Sequence, residues 1–311
     1  MRHNFDEIFE MFLDNLEIEK DISKTTKSSY TNDFNIFREF LRRQGIKEDI
    51  SLINKHILKK YFHFLKFEKD YSVATMRRKI HSLSSFFKFL YEDDIIDNNP
   101  MKSIKAPKRP KELPIYINND DMTKILSSVD TIGGNFVLRD KCFFLLLFLT
   151  GVRRNELINL RWKNVDFSNN TIEIYKSKGN KSRIVPMISP LNTYLKLLFN
   201  SKITDLHDYV LYSHTLNKMN ASCATRLFNK YIKANNLEGK DYSLHKCRHT
   251  FATNLAMNNM DSLEIAELLG HEDIDTTKIY IHLSKASLNS KISNTSYAKS
   301  ISKLMDGNLN I

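Results

Sequence analysis

The segment from Asn99 to Pro114, NPMKSIKAPKRPKELP, divides this 311-residue sequence into two blocks of different character. It contains four of the chain's six prolines, with five Lys or Arg residues between them. Proline fixes its own φ, has no N–H to donate and disfavours helix in the residue before it. We therefore predict an extended basic linker, placed at residues 107–115, between two domains.

The block before the linker has the periodicity of helices alone. Its apolar residues recur three and four positions apart, the spacing that puts them on one face of a helix. Ser23 is a good N-cap residue for the second helix, and Gly45 is placed to end it. The sequence therefore predicts a four-helix N-terminal domain over residues 1–106, with helices at about 5–16, 23–43, 54–69 and 72–90.

The block after the linker has a mixed periodicity. Two short β-type runs, 171–175 and 182–185, flank Gly179 and predict a hairpin. The predicted fold is thus mainly α with a small β-sheet, and a mixed α/β domain over 116–286 is followed by a C-terminal tail over 287–311. Helices are predicted at about 120–129, 138–149, 155–160, 221–234, 244–257 and 262–269, and from about 287.

The composition limits the classes to which this chain can belong. Its formal net charge of +11 favours a polyanionic partner such as nucleic acid. The three cysteines have no CxxC spacing and no carboxylates cluster, so we predict neither a disulfide framework nor a metal site. The longest apolar run has eight residues, whereas a membrane span needs roughly 20. The N-terminus also lacks a signal-peptide pattern, so we expect a cytoplasmic protein without a membrane segment.

Six polar residues stand out in short motifs of the second block: Arg153 in TGVRRNEL (150–157), Lys178 in the hairpin, His245 and Arg248 in HKCRHTFA (245–252), His271 after Leu269-Gly270, and Tyr280 in TTKIYIH (276–282). Each alone has an ordinary explanation. Tyr280 lies between two isoleucines, as core tyrosines do, and His245 with His249 could be a metal pair that lacks a third ligand. Their order and spacing are more specific. Lys178 lies 25 residues after Arg153, His271 lies 23 after Arg248, and Tyr280 lies 9 after His271.

In these motifs the sequence resembles the tyrosine recombinase (phage integrase) family, and within it the bacterial Xer site-specific recombinases. The likeness covers most of the chain and implies a helical, SAM-like core-binding domain followed by a tyrosine recombinase catalytic domain. It also implies that the six residues form the catalytic set, with no cofactor and no metal. Val152, Asn155 and Cys247 depart from the residues that the family more often has, and none of them is a catalytic position.

The chemistry that the resemblance implies suits these residue types. In-line attack on a phosphodiester builds negative charge on the phosphoryl oxygens, and fixed cations aimed at them lower the barrier. An arginine holds two phosphate oxygens with its planar fork and stays charged, so Arg153 and Arg248 are expected to clamp the phosphate. His245 and His271 are expected to add phosphate contacts or to assist proton transfer.

Two further residues are expected to make and break the bonds. Tyr280 is the expected nucleophile, because neighbouring cations favour the phenolate of a side chain whose reference pKa is about 10. Lys178 is the expected general acid, which protonates the leaving 5′-hydroxyl. The products would be a 3′-phosphotyrosyl bond and a free 5′-hydroxyl, and rejoining would need no ATP.

Basic residues outside the catalytic set are candidates for contacts with the DNA backbone. Those on the fourth predicted helix could equally form an ordinary solvated helix face. The candidate DNA-binding residues are Arg77, Arg78, Lys79 and Lys88 in that helix, Lys105, Lys108 and Arg109 in or beside the linker, and Lys181 in the hairpin.

The resemblance also implies a partner and an assembly. We expect duplex DNA with an inverted-repeat recombination site, bound by a homotetramer or by a heterotetramer with a paralogue, and strand exchange through a Holliday junction. The tail at 287–311 is expected to dock on a neighbouring protomer, although it could pack on its own domain instead. Resolution of chromosome or plasmid dimers, integration and inversion of a DNA element stay open as roles. The alternative activities are DNA relaxation, as by a type IB topoisomerase, and regulation by a DNA-binding protein that does not cut.

Overall fold

A computed structural model of the chain describes residues 5–108, 115–175, 182–201, 208–258, 260–270, 292–293 and 295–306. The chain forms two compact units, residues 1–112 (unit 1) and 113–311 (unit 2). The division between them falls inside the predicted linker. Each unit has its own buried apolar core.

Unit 1 consists of four helices and short connections, which confirms the predicted helical class. Aromatic rings from three helices meet in its core: the ring centroid of Phe9 lies 3.7 Å from that of Phe34, and Phe34 lies 5.2 Å from Phe86. These buried rings supply much of the packing between the three helices. The helices are α1 (Phe5–Lys20), α2 (Lys24–Arg43), α3 (Lys55–His63) and α4 (Val73–Glu92).

The helices of unit 1 begin where the sequence provides capping side chains. Ser23 accepts a hydrogen bond from the main chain of α2, Asn54 does the same for α3, and Ser72 does so for α4. The third helix differs from its prediction at the C-terminal end. Lys69 donates to the carbonyl of Phe64, five residues back, so the chain widens into a π-helical turn at Phe64–Glu68.

Unit 2 is built around α7, in which every residue from Arg139 to Thr150 is buried, and α9 and α11 pack against it. Helix α9 was not predicted, although its buried Leu191, Leu195 and Leu198 have helical spacing. The helices are α5 (Asn119–Ser127), α6 (Val129–Ile132), α7 (Val137–Thr150), α8 (Arg154–Asn159), α9 (Leu191–Phe199), α10 (Ala221–Ala234), α11 (Leu244–Met257), α12 (Ser262–Leu269) and α13 (Ser296–Asp306).

The small sheet of unit 2 contains the predicted hairpin and one short strand that was not predicted. Its antiparallel order is β1-β2-β3, with β1 at Val165–Asp166, β2 at Thr171–Tyr175 and β3 at Ser182–Pro186. Within the hairpin, Ile172 lies opposite Val185 and Ile174 lies opposite Arg183. No helix in the described parts of the chain is both long and apolar enough to cross a membrane.

The C-terminal segment packs on its own unit where it is described. Tyr297, Ile301 and Met305 of α13 are at most 1% exposed, and the Tyr297 hydroxyl donates to the main-chain carbonyl of Phe148 in α7. The core of the same chain covers these side chains, which is the alternative that the sequence left open, and docking of the tail on a neighbouring protomer stays a prediction. The predicted helix start near residue 287 lies outside the described residues.

Candidate active site

Three of the six predicted catalytic residues lie in the described part of the chain, and they line one cavity. Arg153, His245 and Arg248 come from two distant segments of unit 2 and share a cavity of about 450 Å3. Glu156 and Thr225 also line it. The fold therefore brings two guanidinium groups and an imidazole to one place, a donor set that suits an anionic phosphate.

The turn between α7 and α8 positions Arg153. Gly151 ends α7 in the left-handed region, with a φ of +60°. Arg153 is extended, and α8 begins at the next residue. The main-chain N–H of Arg153 donates to Oε2 of Glu156 at 2.7 Å, which satisfies one of the N–H groups that a helix start leaves without a partner. The side chain of Arg153 reaches the cavity with 41% of its surface exposed.

Helix α11 carries His245 and Arg248 three residues apart, a spacing that puts both on neighbouring positions of the helix surface. Phe251, in the same helix, is fully buried and anchors α11 in the core. Arg248 is 4% exposed and donates to the carbonyl of Gly151 at 2.8 Å and to that of Leu269 at 2.5 Å. These two carbonyls hold its guanidinium between the α7–α8 turn and the end of α12.

Glu156 is the buried acid that joins the cations of the site. Its carboxylate accepts hydrogen bonds from Nη1 and Nη2 of Arg183 at 2.9 and 2.8 Å and from Nη1 of Arg153 at 3.0 Å. Burial works to raise the pKa of Glu156, but the hydrogen bonds and charge of Arg183, with those of Arg153, outweigh it and lower the pKa. Glu156 is therefore ionised at neutral pH.

Three arginines converge on the carbonyl groups at the end of α12. A helix C-terminus leaves carbonyls without helical partners and carries a partial negative charge, so cations stabilise it. The short contacts hold the chain up to Leu269, and His271 lies two residues further on in the sequence. The contacts are Arg183 Nε to the Leu268 carbonyl at 2.7 Å, Arg248 Nη2 to the Leu269 carbonyl at 2.5 Å, and Arg153 Nη1 and Nη2 to the Leu269 and Gly270 carbonyls at 3.5 Å each.

The electrostatics of the cavity favour an anion. Burial, with the charges of Arg153 and Arg183, lowers the pKa of Arg248 to about 10, which leaves its guanidinium protonated at neutral pH. Burial, with the charges of Arg248 and Lys246, lowers the pKa of His245, so this imidazole is neutral at the same pH. A phosphate that enters the cavity meets charged guanidinium donors and a neutral ring that can pass a proton.

His245 and His249 lie side by side on α11, with ring centroids 4.7 Å apart. The pKa of His249 is also lowered, first by burial and then by His245. Among the residues that the structure describes, no group of three or more His, Cys, Asp or Glu side chains could hold a metal ion. Within that part of the chain the pair therefore has no third ligand of these types.

Lys178, His271 and Tyr280, the other predicted catalytic residues, lie outside the described residues. The structure describes the segments that lead to the first two. Tyr175 and Ser182 are paired at the ends of β2 and β3, on either side of the segment that contains Lys178. Gly270 ends α12 with a φ of +64°, directly before His271.

The predicted DNA-binding residues of α4 differ in exposure. The side chain of Lys88 is 67% exposed and that of Arg78 is 46% exposed. Arg77 is half-buried, and its Nη1 donates to the main-chain carbonyl of Pro107 at 2.5 Å. Two of these residues are therefore accessible, and the third contacts the start of the linker.

Lys79 is buried, so the prediction that it contacts DNA is wrong. It is 2% exposed, and its ammonium donates to Oδ1 of Asp33 at 2.8 Å. Arg78 and Ser82 donate to the other oxygen of the same carboxylate. Three consecutive helical residues span about 200° of the helix surface, so a basic triplet can turn one member inwards. Lys79 belongs to the core of unit 1 and is not available to DNA.

The predicted DNA contacts outside α4 are described only in part. Lys105 and Lys108 are exposed at the end of unit 1. Arg109 in the linker and Lys181 in the hairpin lie outside the described residues. Lys105 and Lys108 are thus accessible to solvent, as a residue that contacts a phosphate backbone must be.

Arg183 is a member of the site that the sequence analysis missed. It lies opposite Ile174 on the buried face of the hairpin, while the neighbouring Ile184 is 47% exposed. Alternate residues of a strand share a face, so the pairing with Ile174 could have placed Arg183 inside. A buried guanidinium requires an acidic partner, and that requirement was the signal for a link to Glu156.

Comparison with known proteins supports the same interpretation over most of the chain. Residues 116–287 match the phage integrase family, and residues 9–94 match the phage integrase N-terminal SAM-like domain. The tyrosine recombinase XerC of Pediococcus pentosaceus is 32% identical over 289 residues, covering 91% of this chain and 95% of the relative. XerC of Oceanobacillus iheyensis is 34% identical over 283 residues, covering 88% and 90%.

Solved structures share the fold. The integrase of the transposon Tn1549, in complex with a circular intermediate DNA, superposes with a TM-score of 0.71 at 20% identity and covers 92% of this chain and 98% of its own. The XerH site-specific recombinase bound to a palindromic difH substrate gives a TM-score of 0.67 at 22% identity, covering 94% and 84%. At these identities the structures establish the architecture.

The family matches identify this chain, with its helical unit, its mixed unit and its arginine-lined cavity, as an enzyme that cleaves and rejoins DNA. The chain belongs to the tyrosine recombinase (phage integrase) family, whose members act through a covalent phosphotyrosine intermediate. Its XerC relatives place it among the Xer-like site-specific recombinases. The predictions of family, fold class and enzymatic activity are confirmed, and neither the topoisomerase-like nor the non-cutting alternative is favoured.

Proposed function

We propose that Tyr280 is the nucleophile and that Arg153, Arg248 and His245 form the described part of the phosphate site. The phenolic oxygen of Tyr280 attacks the scissile phosphorus, and a 3′-phosphotyrosyl bond forms as the bond from phosphorus to the 5′-oxygen breaks. The energy of the broken bond is kept in the new ester, so the reverse reaction rejoins the strand without a nucleotide cofactor.

The hydrogen bonding of Arg153 is the observation that carries this proposal. Its contacts with the carbonyls of Leu269 and Gly270 are 3.5 Å long, beyond the usual range of about 2.7–3.2 Å. These N–H groups gain little from the carbonyls and would gain more from a phosphate oxygen. Because 41% of the side chain is exposed, a phosphate can reach the guanidinium.

Arg248 has the complementary role in the proposal. It is almost fully buried, and two main-chain carbonyls hold its guanidinium, so its charge does not reorganise when a phosphate binds. Charge that is fixed in advance stabilises a transition state better than charge that must be ordered first. Arg153 would thus exchange its two long carbonyl contacts for a phosphate oxygen, and Arg248 would supply the fully fixed part of the clamp.

Lys178 and His271 complete the proposed set. Lys178 would donate a proton to the leaving 5′-oxygen, and His271 would bind a phosphoryl oxygen. The segment with Lys178 connects strands β2 and β3, and His271 follows the end of α12. Both sequence positions therefore adjoin segments that contact cavity residues, since Arg183 of β3 binds Glu156 and Leu269 of α12 binds Arg248. That proximity supports the assignment.

The assembly and the roles of the two units are also proposed. Unit 1, with the linker, would bind the outer part of a duplex site through Arg77, Arg78, Lys88, Lys105, Lys108 and Arg109, and Lys181 would add a contact from the hairpin. Two inverted-repeat sites would be exchanged by four protomers, either of this chain alone or with a paralogue, through a Holliday junction. The chain would act in the cytoplasm, either to resolve chromosome or plasmid dimers or to integrate or invert a DNA element.

A nicked duplex tests the covalent step. The probe is a duplex that carries an inverted repeat from the DNA beside this chain's own gene, nicked so that cleavage releases a short fragment and cannot be reversed. Wild type should form a protein–DNA adduct that survives denaturing electrophoresis, and it should do so with chelator present. Tyr280→Phe should bind the same duplex and form no adduct.

The controls separate binding from chemistry. Arg153→Ala should bind with a Kd within a few-fold of wild type and cleave at least about 100-fold more slowly, as expected for the loss of a transition-state donor. Tyr242→Phe should cleave normally, because the hydroxyl of Tyr242 donates to Asp121, and neither residue lines the cavity. An adduct that persists in Tyr280→Phe would disprove the assignment of the nucleophile.

A further inference from the structure

Arg183 is outside the proposed catalytic set, yet its hydrogen bonds reach two parts of the site. Its side chain is 6% exposed. Nη1 and Nη2 bind the two oxygens of Glu156 at 2.9 and 2.8 Å, and Nε donates to the carbonyl of Leu268 at 2.7 Å. All three nitrogens of the guanidinium are therefore used, in a planar arrangement that lysine cannot reproduce.

The contact with Glu156 leads to Arg153. Glu156 accepts from the main chain of Arg153 at 2.7 Å and from its Nη1 at 3.0 Å. Without Arg183, half of the hydrogen-bonding capacity of the Glu156 carboxylate would be unused, and the carboxylate and Arg153 could rotate together. Arg183 thus holds the carboxylate of Glu156 in place, and that carboxylate positions Arg153.

The contact with Leu268 leads to His271. Leu268 lies two residues before Gly270, at the end of α12, and His271 follows directly in the sequence. Arg183 itself is the second residue of β3, directly after the segment that contains Lys178. One side chain therefore connects the hairpin strand, the start of α8 and the end of α12, the three segments that adjoin proposed catalytic residues.

We propose that Arg183 is a positioning residue: through Glu156 and the Leu268 carbonyl it sets the geometry of Arg153 and of the chain that enters His271. It contributes to the rate of strand cleavage and not to the affinity for DNA, since its guanidinium is buried and all three of its nitrogens bind Glu156 or Leu268. This inference rests on the proposed catalytic roles of Arg153 and His271.

A purely structural role for the buried ion pair is the alternative, and unit 2 contains a matched control for it. Arg139 is 6% exposed and binds the buried carboxylate of Asp140 through Nε at 2.8 Å and Nη2 at 2.6 Å. It also donates to a main-chain carbonyl, that of Tyr212, at 3.3 Å. Arg139→Lys and Arg183→Lys therefore remove similar buried contacts, but only Arg183 is linked to the proposed site.

The test is single-turnover cleavage of the nicked duplex by the full chain at saturating protein, with the Kd for the same duplex measured separately. Every variant is assayed well below the melting temperature of the least stable one. Arg183→Lys should cleave about 10- to 100-fold more slowly, the loss expected from a small displacement of catalytic groups. Its Kd, and the cleavage rate of Arg139→Lys, should each stay within about three-fold of wild type.

A double-mutant cycle tests the route through Glu156. If Arg183 acts on Arg153 through this carboxylate, Arg183→Lys should slow Glu156→Gln much less than it slows wild type, because coupled residues are not additive. Additive losses, a loss no larger than that of Arg139→Lys, or a loss confined to Kd would each overturn the proposal.

Folding and the parent proposal are controlled separately. If Arg183→Lys does not fold, Arg183→Gln, which leaves no unpaired cation in the core, is assayed in its place, and failure of both to fold would make Arg183 a stability residue. Wild type that forms no adduct, or Tyr280→Phe that still forms one, would refute the proposed function. Active wild type with an unimpaired Arg183→Lys would refute only the positioning role.

Discussion

Gly151 packs directly against the ring of Phe251. A Cβ atom at position 151 would lie 2.5 Å from Cδ1 of Phe251, so a residue with a side chain would clash with the ring. The same Cβ would lie 2.9 Å from Cδ2 of Leu269. Gly151 precedes Arg153 by two residues, and Phe251 belongs to α11, which carries Arg248. The packing of one glycine therefore sets the spacing between the two proposed phosphate ligands.

We expect Gly151→Ala to lower the free energy of unfolding by about 3 kcal/mol, since a left-handed conformation costs about 1–2 kcal/mol for a residue with a Cβ and the close contacts add to it. Chemical denaturation of the full chain measures this. Gly134→Ala is the matched control, because Gly134 has a φ of +57° in the same unit with no atom within 4 Å of an added Cβ. It should lose only the conformational cost, and equal losses would contradict the role of close packing.

Stability should fall as the pH is lowered from about 7 to 5. The pKa values of His245 and His249 are lowered in the folded chain, mainly by burial. In the unfolded chain a histidine has a pKa of about 6.5. Between the folded and unfolded pKa values the unfolded chain binds more protons, so protonation favours unfolding. This loss of stability is absent at a pH above the pKa of the unfolded histidines and complete at a pH below their pKa in the folded chain.

Denaturation midpoints across that pH range test this prediction. His249→Gln should flatten the dependence, and the double change His245→Gln with His249→Gln should flatten it further. The lowered pKa of Glu156 has its effect at more acidic pH, because a carboxylate with a depressed pKa loses its contribution only as it is protonated. A pH slope between 5 and 7 that is the same in the double variant and in wild type would be inconsistent with the prediction.

The local pattern of the sequence predicted much of the fold, and the bounds of α10, α11 and α12 agree with their predicted ranges. Helical periodicity and capping residues are local properties, which is why they could be read without the structure. The link from Arg183 to Glu156 spans 27 residues and depends on how the hairpin packs. Lys79 illustrates the same limit, since a basic triplet does not reveal which member turns towards Asp33.

Lys79→Met should destabilise the chain without changing how binding to DNA depends on salt. Its ammonium pairs with Asp33 at 2.8 Å in the core of unit 1, and loss of one partner of a buried pair should cost about 2–3 kcal/mol because Arg78 and Ser82 still bind the carboxylate. Methionine retains most of the apolar stem. Denaturation measures the loss, and a salt titration of DNA binding measures the charge contribution.

The exposed lysines in and beside the linker provide the contrast. Lys105→Ala with Lys108→Ala should leave stability within about 0.5 kcal/mol, as is usual for surface changes. Each phosphate contact that is lost should reduce the slope of log K against log salt by about 0.9. If Lys79→Met reduced that slope as much as the double change at Lys105 and Lys108, Lys79 would contact DNA in the complex and would not be buried there.

Tyr297→Phe should lower the free energy of unfolding by about 1–2 kcal/mol, because it removes the hydroxyl that satisfies a buried carbonyl. That carbonyl belongs to Phe148, in the last turn of α7, where helical carbonyls lack N–H partners within the helix. Ser300→Ala is the control on α13: its hydroxyl binds Ser296 within the same helix at an exposed position, and its loss should cost little. Denaturation of both variants measures the difference. Equal stabilities would mean that α13 is held by its apolar face alone, whereas the expected difference shows that the hydroxyl of Tyr297 also fixes α13 to the core helix that ends at the Gly151 turn.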